Sequence, residues 1–277
     1  MYLAFDTGGT KTRLGLSRDG QTIEKTVFLK TQTNDYAKAL QEFKKAALEL
    51  TGGEQIVAAA GGIPGTMDKE KNQILNAPNL PGWRGKNLRD DLQQLLHAPV
   101  YLENDTAVIC LGEAMAGAGK GHRIVVYITV STGIGGCRVV DQKVDANAMG
   151  FEPGHQVIDS TGATCACGSI GHLEAVAGGA SLLKIHGTPP ENIKDPKIWD
   201  KEAYNLACGL NNVIVFWSPD IVIIGGSIMK SLKLETVKQK VRDMISIYPQ
   251  LPEFVPPVLG EEGGLLGGLA LIKSQGL

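Results

Sequence analysis

Tyr2-Leu3-Ala4-Phe5-Asp6-Thr7-Gly8-Gly9-Thr10-Lys11-Thr12-Arg13-Leu14-Gly15-Leu16-Ser17 begins as an apolar strand, breaks at a glycine pair flanked by threonines, and resumes as an alternating strand. Asp19-Gly20 is a strong hairpin signal, so a third strand is predicted from Thr22 to Leu29. The same order returns later. Ile124 to Val130 is apolar or β-branched throughout and ends in Ser131-Thr132-Gly133-Ile134-Gly135-Gly136. It continues through Cys137 to Val140 and turns at Asp141-Gln142-Lys143. A strand, a hydroxyl- and glycine-rich turn, and a second strand, used twice, read as an internal repeat. The expected fold is therefore two related α/β domains, each opening with an antiparallel hairpin, facing one another across a cleft. The boundaries are predicted at 1–105 and 106–262, with a final helix over about 263–277 packing back on the first domain.

Between the hairpins the elements alternate as α/β folds require. Asn34 is placed to cap a helix with an apolar stripe of Tyr36, Leu40, Phe43, Ala47 and Leu50. A strand from Ile56 to Ala60 runs into Gly61-Gly62-Ile63-Pro64-Gly65, and Asn79-Leu80-Pro81-Gly82-Trp83 reads as loop. After a helix over 86–97, the strand Val100-Tyr101-Leu102 meets helix-forming residues at Glu103-Asn104-Asp105-Thr106. A long helix over 200–218 stops at Pro219, and Asp220 to Ile224 enters Gly225-Gly226-Ser227. A further helix runs to about Ile247.

The bulk numbers narrow the function. The 277 residues are 43% hydrophobic and 20% charged, a globular composition. The net charge of −2, with no basic stripe, speaks against nucleic acid and anionic membrane as partners. Apolar runs such as Ile221-Val222-Ile223-Ile224 are too short to span a bilayer, and Asp6 interrupts any apolar leader, so a cytoplasmic location is expected. Glycine is the outlier: its 35 residues are well above the usual ~7%. They cluster at strand junctions, as they do where a backbone must approach a phosphate.

Three groups of residues carry chemistry. The turns at Thr7-Gly8-Gly9-Thr10-Lys11 and at Ser131 to Gly136 offer backbone N–H groups, hydroxyls and no obstructing Cβ. Each suits a phosphate, and each also suits a tight hairpin corner without a ligand. Asp6, just before the first turn, is either an Asx-type turn residue or a group that holds Mg²⁺ directly or through water. Asp105, beside the positive end of a new helix, is kept ionised. Taken alone it is a helix cap; beside two phosphate turns it becomes a candidate base for phosphoryl transfer, with Thr106 as the cap. The third group is His155, Cys165, Cys167 and His172. Nine, one and four residues separate them in turn, in a glycine-rich stretch poor in large apolar side chains. Two histidines and two cysteines can complete a tetrahedral Zn²⁺ site, and they can equally be buried thiols and hydrogen-bonded imidazoles.

Together these residues resemble the ROK family of sugar kinases and sugar-responsive repressors, in the actin/hexokinase ATPase superfamily. The resemblance runs along essentially the whole chain. Asp6 to Lys11 is similar to the family's first phosphate motif, and Ser131 to Gly136 to its second. Gly62-Ile63-Pro64-Gly65 and Asn79 to Trp83 resemble its sugar-side loops, Asn104-Asp105 its sugar-binding Asn and catalytic Asp, and Gly225-Gly226-Ser227 its adenosine turn. Most specific is Glu152-Pro153-Gly154-His155 with Cys165-Ala166-Cys167-Gly168 and Gly171-His172-Leu173-Glu174. Two positions depart from the family pattern. The third cysteine is His172, and the Asn two residues after the catalytic Asp is Ala107.

The resemblance implies two ribonuclease H-like (actin-like ATPase) domains with a zinc-stabilised loop. It implies a homodimer and a kinase that uses ATP, Mg²⁺ and structural Zn²⁺ to phosphorylate a hexose or N-acetylhexosamine, glucokinase-like, at the 6-hydroxyl. Asp105 is then the general base. Gly62, Asn79, Asn104, Glu152, His155 and Glu174 hold the sugar. The nucleotide lies on Asp6, Thr7, Gly8, Gly9, Thr10, Lys11, Ser131, Thr132, Gly133, Gly135, Gly225 and Gly226. Zinc is ligated by His155, Cys165, Cys167 and His172. The alternative in the same family is a sugar-binding regulator without catalysis.

Overall fold

Short, largely apolar strands dominate the architecture. The computed structural model describes residues 1–277 and places two five-stranded sheets in the chain. Strands β1 (Tyr2–Thr7), β2 (Lys11–Ser17) and β3 (Lys25–Lys30) form the opening antiparallel meander. Helix α1 (Tyr36–Thr51) follows, then β4 (Ala58–Ile63), which lies parallel to β1. A small ribbon of β5 (Thr66–Met67) and β6 (Ile74–Asn76) comes next, then helix α2 (Leu88–Leu96). Strand β7 (Val100–Asn104) pairs parallel with β4 and runs straight into helix α3 (Asp105–Ala116). The sheet order is β3-β2-β1-β4-β7.

The second sheet is built from β8 (Ile124–Val130), β9 (Ile134–Val140) and β10 (Lys143–Val144). After the His/Cys region come α4 (Glu174–Ala177), α5 (Gly179–His186) and α6 (Pro196–Trp217). Strand β11 (Ile221–Gly225), helix α7 (Leu234–Met244) and strand β12 (Glu253–Val255) complete it in the order β10-β9-β8-β11-β12. The last helix is α8 (Gly263–Lys273). The repeat seen in the sequence is thus present as two sheets with the same opening hairpin and the same parallel strand beside it. No helix is long and apolar enough to cross a membrane.

The chain divides into two units. The first comprises Met1–Gly121, Val139–Gly150 and Val258–Leu277; the second comprises His122–Arg138 and Phe151–Pro257. The first unit therefore extends past the boundary expected at Asp105. The reason is α3, whose Gly112 approaches the Gly263 and Gly267 backbone of α8, so that the two helices touch main chain to main chain. In the first core Leu3, Phe5, Leu14, Ala59 and Leu102 pack with α1, and the Phe5 and Phe43 rings meet edge to face at 5.2 Å. The second core sets Val126, Ile128, Val222 and Ile224 against Leu206, Leu210 and Ile214 of α6.

Two caps differ from the sequence expectation. Helix α1 is capped by Asp35, not Asn34, because the Asp35 carboxylate accepts from the Lys38 N–H at 3.0 Å. Helix α3 is capped by Asn104, not Thr106: Asn104 Oδ1 accepts from the N–H groups of Thr106 and Ala107.

Candidate functional site

In each unit the chemistry gathers where parallel strands end. In open α/β sheets that carboxyl edge is the usual ligand edge. In the first unit β1, β4 and β7 run in one direction and carry Asp6, Gly62 and Asn104 in their last two residues, with Asp105 next. Gly62 sits against Asp105, where a Cβ would lie 2.8 Å from the Asp105 Cα. Only glycine lets β4 and the start of α3 approach so closely. The Asp105 carboxylate accepts from the Thr106 N–H at 2.7 Å. Asn104 uses Oδ1 for the cap and donates one Nδ2 hydrogen to Gly65 O at 3.1 Å. An amide has two such hydrogens, so the second can serve a ligand.

Asp6 and Asp105 interact electrostatically. Burial, then the neighbouring Asp105 charge, pushes the Asp6 carboxyl up to about 6, against a lowering by Arg13 and Lys11. Two carboxylates held together at a strand edge attract a divalent cation or a cationic donor. The turn beside them closes on itself: Gly8 N–H donates to Lys11 O at 2.9 Å, and Thr31 donates its N–H to Thr10 O and its hydroxyl to Gly8 O. None of these bonds uses the Gly9 or Thr10 N–H. Asn79 lies beside the turn, its Cβ 3.0 Å from the place a Gly9 Cβ would take.

In the second unit β8 and β11 are parallel and end at Ser131 and Gly225-Gly226. Here the turn is stitched to its surroundings. Ser131 O and Thr132 O accept the N–H groups of Gly179 and Ala180 at the start of α5, at 2.7 and 2.9 Å. Ser131 Oγ accepts from Ser227 N–H at 3.1 Å. Glu174 Oε2 accepts from Ile134 N–H at 2.7 Å, and a Cβ on Gly133 would stand 2.4 Å from that oxygen. The turn thus links the Gly225-Gly226-Ser227 segment to the segment that carries Glu174. Desolvation and the neighbouring Glu174 raise the Glu152 carboxyl above its usual range, while His155 acts to lower it. Glu152 therefore lies within the field of both His155 and Glu174.

The same loop brings His155, Cys165, Cys167 and His172 together. Their ligand atoms all lie within 4.8 Å of one another. His155 Nδ1 is 3.2 Å from His172 Nδ1, Cys167 Sγ is 3.3 Å from His172 Nδ1, and Cys165 Sγ is 3.8 Å from His155 Nδ1. Tetrahedral zinc with ordinary Zn–N and Zn–S bonds sets its ligand atoms about 3.3–3.8 Å apart. These three contacts lie close to that range, and the four-atom set, within 4.8 Å, needs only a small contraction to hold the ion. The backbone N–H of Ser169 holds the Cys167 thiol below its ordinary value, which favours the thiolate that a metal requires. Backbone bridges at Val157–His172 and Thr164–Ile170 frame the loop.

Some residues escaped the sequence reading. Glu103 is buried, and its Oε1 accepts from Lys71 Nζ at 2.7 Å and from the Asn104 N–H at 3.0 Å. It ties the β5–β6 ribbon to the strand that carries Asn104. Glu113, fully buried in α3, accepts from the N–H groups of Ala118, Val258 and Leu259. The glutamates gave a weak signal only: each is a charge in an otherwise apolar run, which calls for a buried partner.

The ROK family profile matches residues 2–275. A glucokinase of Thermotoga maritima is 30% identical over 99% of this chain and 97% of its own length. The crystal structure of a ROK hexokinase from Thermus thermophilus superposes with a TM-score of 0.88 at 27% identity, covering 100% of this chain and 99% of that one. A ROK family glucokinase from Streptomyces griseus, solved with glucose and AMPPNP, gives 0.79 at 26% identity over 98% of each chain. With an α/β fold that matches these structures and a family profile over nearly its whole length, the chain belongs to the ROK family.

Proposed function

We propose that this chain is an ATP-dependent sugar kinase that phosphorylates a hexose or N-acetylhexosamine at its 6-hydroxyl. The observation that carries the reading is the convergence of Asp6, Gly62, Asn104 and Asp105 on the carboxyl edge of β1, β4 and β7, with Asp6 and Asp105 within each other's field. Likeness to glucokinases, one of them solved with glucose and a nucleotide analogue, supports the choice of substrates.

The residues divide the work as follows. Asp105 orients the attacking hydroxyl and accepts its proton as the oxygen bonds to the γ-phosphorus. The bond from that phosphorus to the bridging oxygen breaks, and ADP leaves. Asp6 holds Mg²⁺, directly or through water; when bound, the ion neutralises phosphate charge. Thr7, Gly8, Gly9, Thr10 and Lys11 in one unit, and Ser131, Thr132, Gly133 and Gly135 in the other, receive the phosphates. Gly225 and Gly226 take the adenosine.

The sugar hydroxyls are held by the spare Asn104 N–H, by Asn79, by Glu152, by the Glu174 oxygen not used by Ile134, and by the His155 nitrogen not turned toward the metal. Gly62 keeps Asp105 seated beside them. His155, Cys165, Cys167 and His172 hold zinc, which fixes the loop between Glu152 and Glu174 and orients the His155 ring.

A coupled assay of ATP consumption over a panel of hexoses and N-acetylhexosamines tests the proposal. Turnover with at least one sugar, and a product phosphorylated at the 6-position by NMR, is expected. Sugar binding without any turnover identifies a regulator instead and removes the kinase reading.

A further inference from the structure

The second unit has a cavity of about 460 Å³ on the side of the zinc loop where Gly171 and His172 face α6. Of the residues given a role above only His172 lines it, and the zinc role does not account for the cavity. Its walls are largely apolar, with Ile158, Val176, Ile185 and Ile198 contributing. Two carboxyl groups also line it: Asp159, which is exposed and accepts from the Thr161 N–H and hydroxyl, and Glu202, which is buried. Glu202 is 5% exposed, and its Oε1 receives only a long bond, 3.4 Å, from Asn205 Nδ2. Its Oε2 is buried without any hydrogen-bond partner. Leaving a buried carboxyl oxygen unmet is costly, so such an oxygen on a cavity wall implies a donor that comes from outside the chain. Burial pushes this carboxyl up to about 7, so a cationic donor in the cavity would ionise it and gain from the charge.

The wall also limits the kind of donor. Lys201, next to Glu202 on α6, lines the cavity, as does Lys197 one turn earlier. A simple amine brought to Glu202 is repelled by these ammonium groups. A molecule with an ammonium and a carboxylate on neighbouring atoms matches both Glu202 and the lysines. The isoleucine and valine side chains call for an apolar remainder, and the volume admits a branched or aromatic one.

We propose that this cavity binds an apolar α-amino acid, its ammonium group donating to Glu202 Oε2, its carboxylate meeting Lys201 and Lys197, and its side chain lying on Ile158, Val176, Ile185 and Ile198. The site is independent of sugar phosphorylation, so its test reads binding and not turnover. The wall that includes His172 belongs to the zinc loop, and an occupant braces that loop from behind.

The experiment uses the full chain with its metal in place. Calorimetry and thermal melting are run with L-leucine and L-phenylalanine, and with isoamylamine and 4-methylpentanoate, which each lack one charge. At least one amino acid is expected to bind at about 10 mM or below and to raise the melting temperature, and both single-charge probes are expected to bind more weakly. Glu202→Gln is expected to weaken amino-acid binding about tenfold or more, the worth of one charge-assisted hydrogen bond. Ile198→Trp, which puts a bulky ring on the surface proposed for the apolar side chain and leaves Glu202 in place, is expected to weaken it by a similar factor. No binding of either amino acid overturns the proposal and leaves an internal water as the partner of Oε2. Binding that survives both substitutions also overturns it.

Discussion

The two glycine turns look alike in sequence and are built differently. The first, Thr7 to Lys11, closes on its own backbone and on Thr31, and the hydrogen bonds that shape it stay within β1 to β3 and the residue after them. The second, Ser131 to Gly136, is held from outside. It receives the N-terminus of α5, the Ser227 N–H and the Glu174 carboxylate. A turn of the first kind needs only its hairpin. A turn of the second kind depends on a loop that also carries the four-residue His/Cys cluster, which holds zinc in the function proposed above. The comparison teaches that the first turn is fixed by regular secondary structure, while the second leans on the segment that carries Glu174, beside the four-residue His/Cys cluster.

The largest expected effect breaks the chemistry and leaves both turns standing. Asp105→Asn removes the proton acceptor while Asn104 still caps α3. Transfer is expected to fall by roughly 10³-fold or more, with hexose affinity retained in a calorimetric titration. Near-normal turnover would remove Asp105 from the mechanism. The next effect separates the units. Purified protein is expected to carry about one zinc per chain, measured by plasma emission. His172→Cys keeps it, because thiolate and imidazole both suit the ion. Cys165→Ser loses it and raises the sugar KM roughly 10–100-fold, the usual scale for losing a group that positions a ligand. Melting of the first unit's core should move little. A metal-free protein with an intact loop would contradict the contrast drawn between the turns.

Much of this was legible in the chain itself. The places of the main strands along the chain follow from apolar runs that meet Asp6, Gly61, Asp105, Ser131 and Gly225, while the order within each sheet and the short strands β5, β6 and β12 do not. Element ends were less legible. The strand expected over 56–60 lies at Ala58–Ile63, since Gly61 and Gly62, which read as turn, pair with β1 and β7. The cap fell to Asn104 instead of Thr106 for a similar reason: both can cap, and the choice is made by where β7 stops pairing. The His/Cys cluster was legible as residue types, but its geometry depends on two backbone bridges that no periodicity signals. Glu103, Glu113 and Glu202 were hidden. Their partners are distant in sequence or, for Glu202 Oε2, missing from the chain.

The smallest effect tests the turns directly. A Cβ on Gly8 would meet only Lys11 O, at an ordinary 3.4 Å, so Gly8→Ala should leave the fold and the sugar KM close to wild type. A Cβ on Gly133 would stand 2.4 Å from Glu174 Oε2. A carboxylate at the end of a flexible side chain can swing away, so the melting temperature should change little. The swing breaks the bond from Ile134 N–H and moves the other oxygen off the sugar. One hydrogen bond of this kind is worth about 1–1.5 kcal/mol, so Gly133→Ala should raise the sugar KM about tenfold. The nucleotide KM should respond less than the sugar KM, because the Ser131 and Thr132 carbonyls remain tied to α5. Equal responses of the two turns to alanine would mean that Glu174 does not couple the second turn to the sugar.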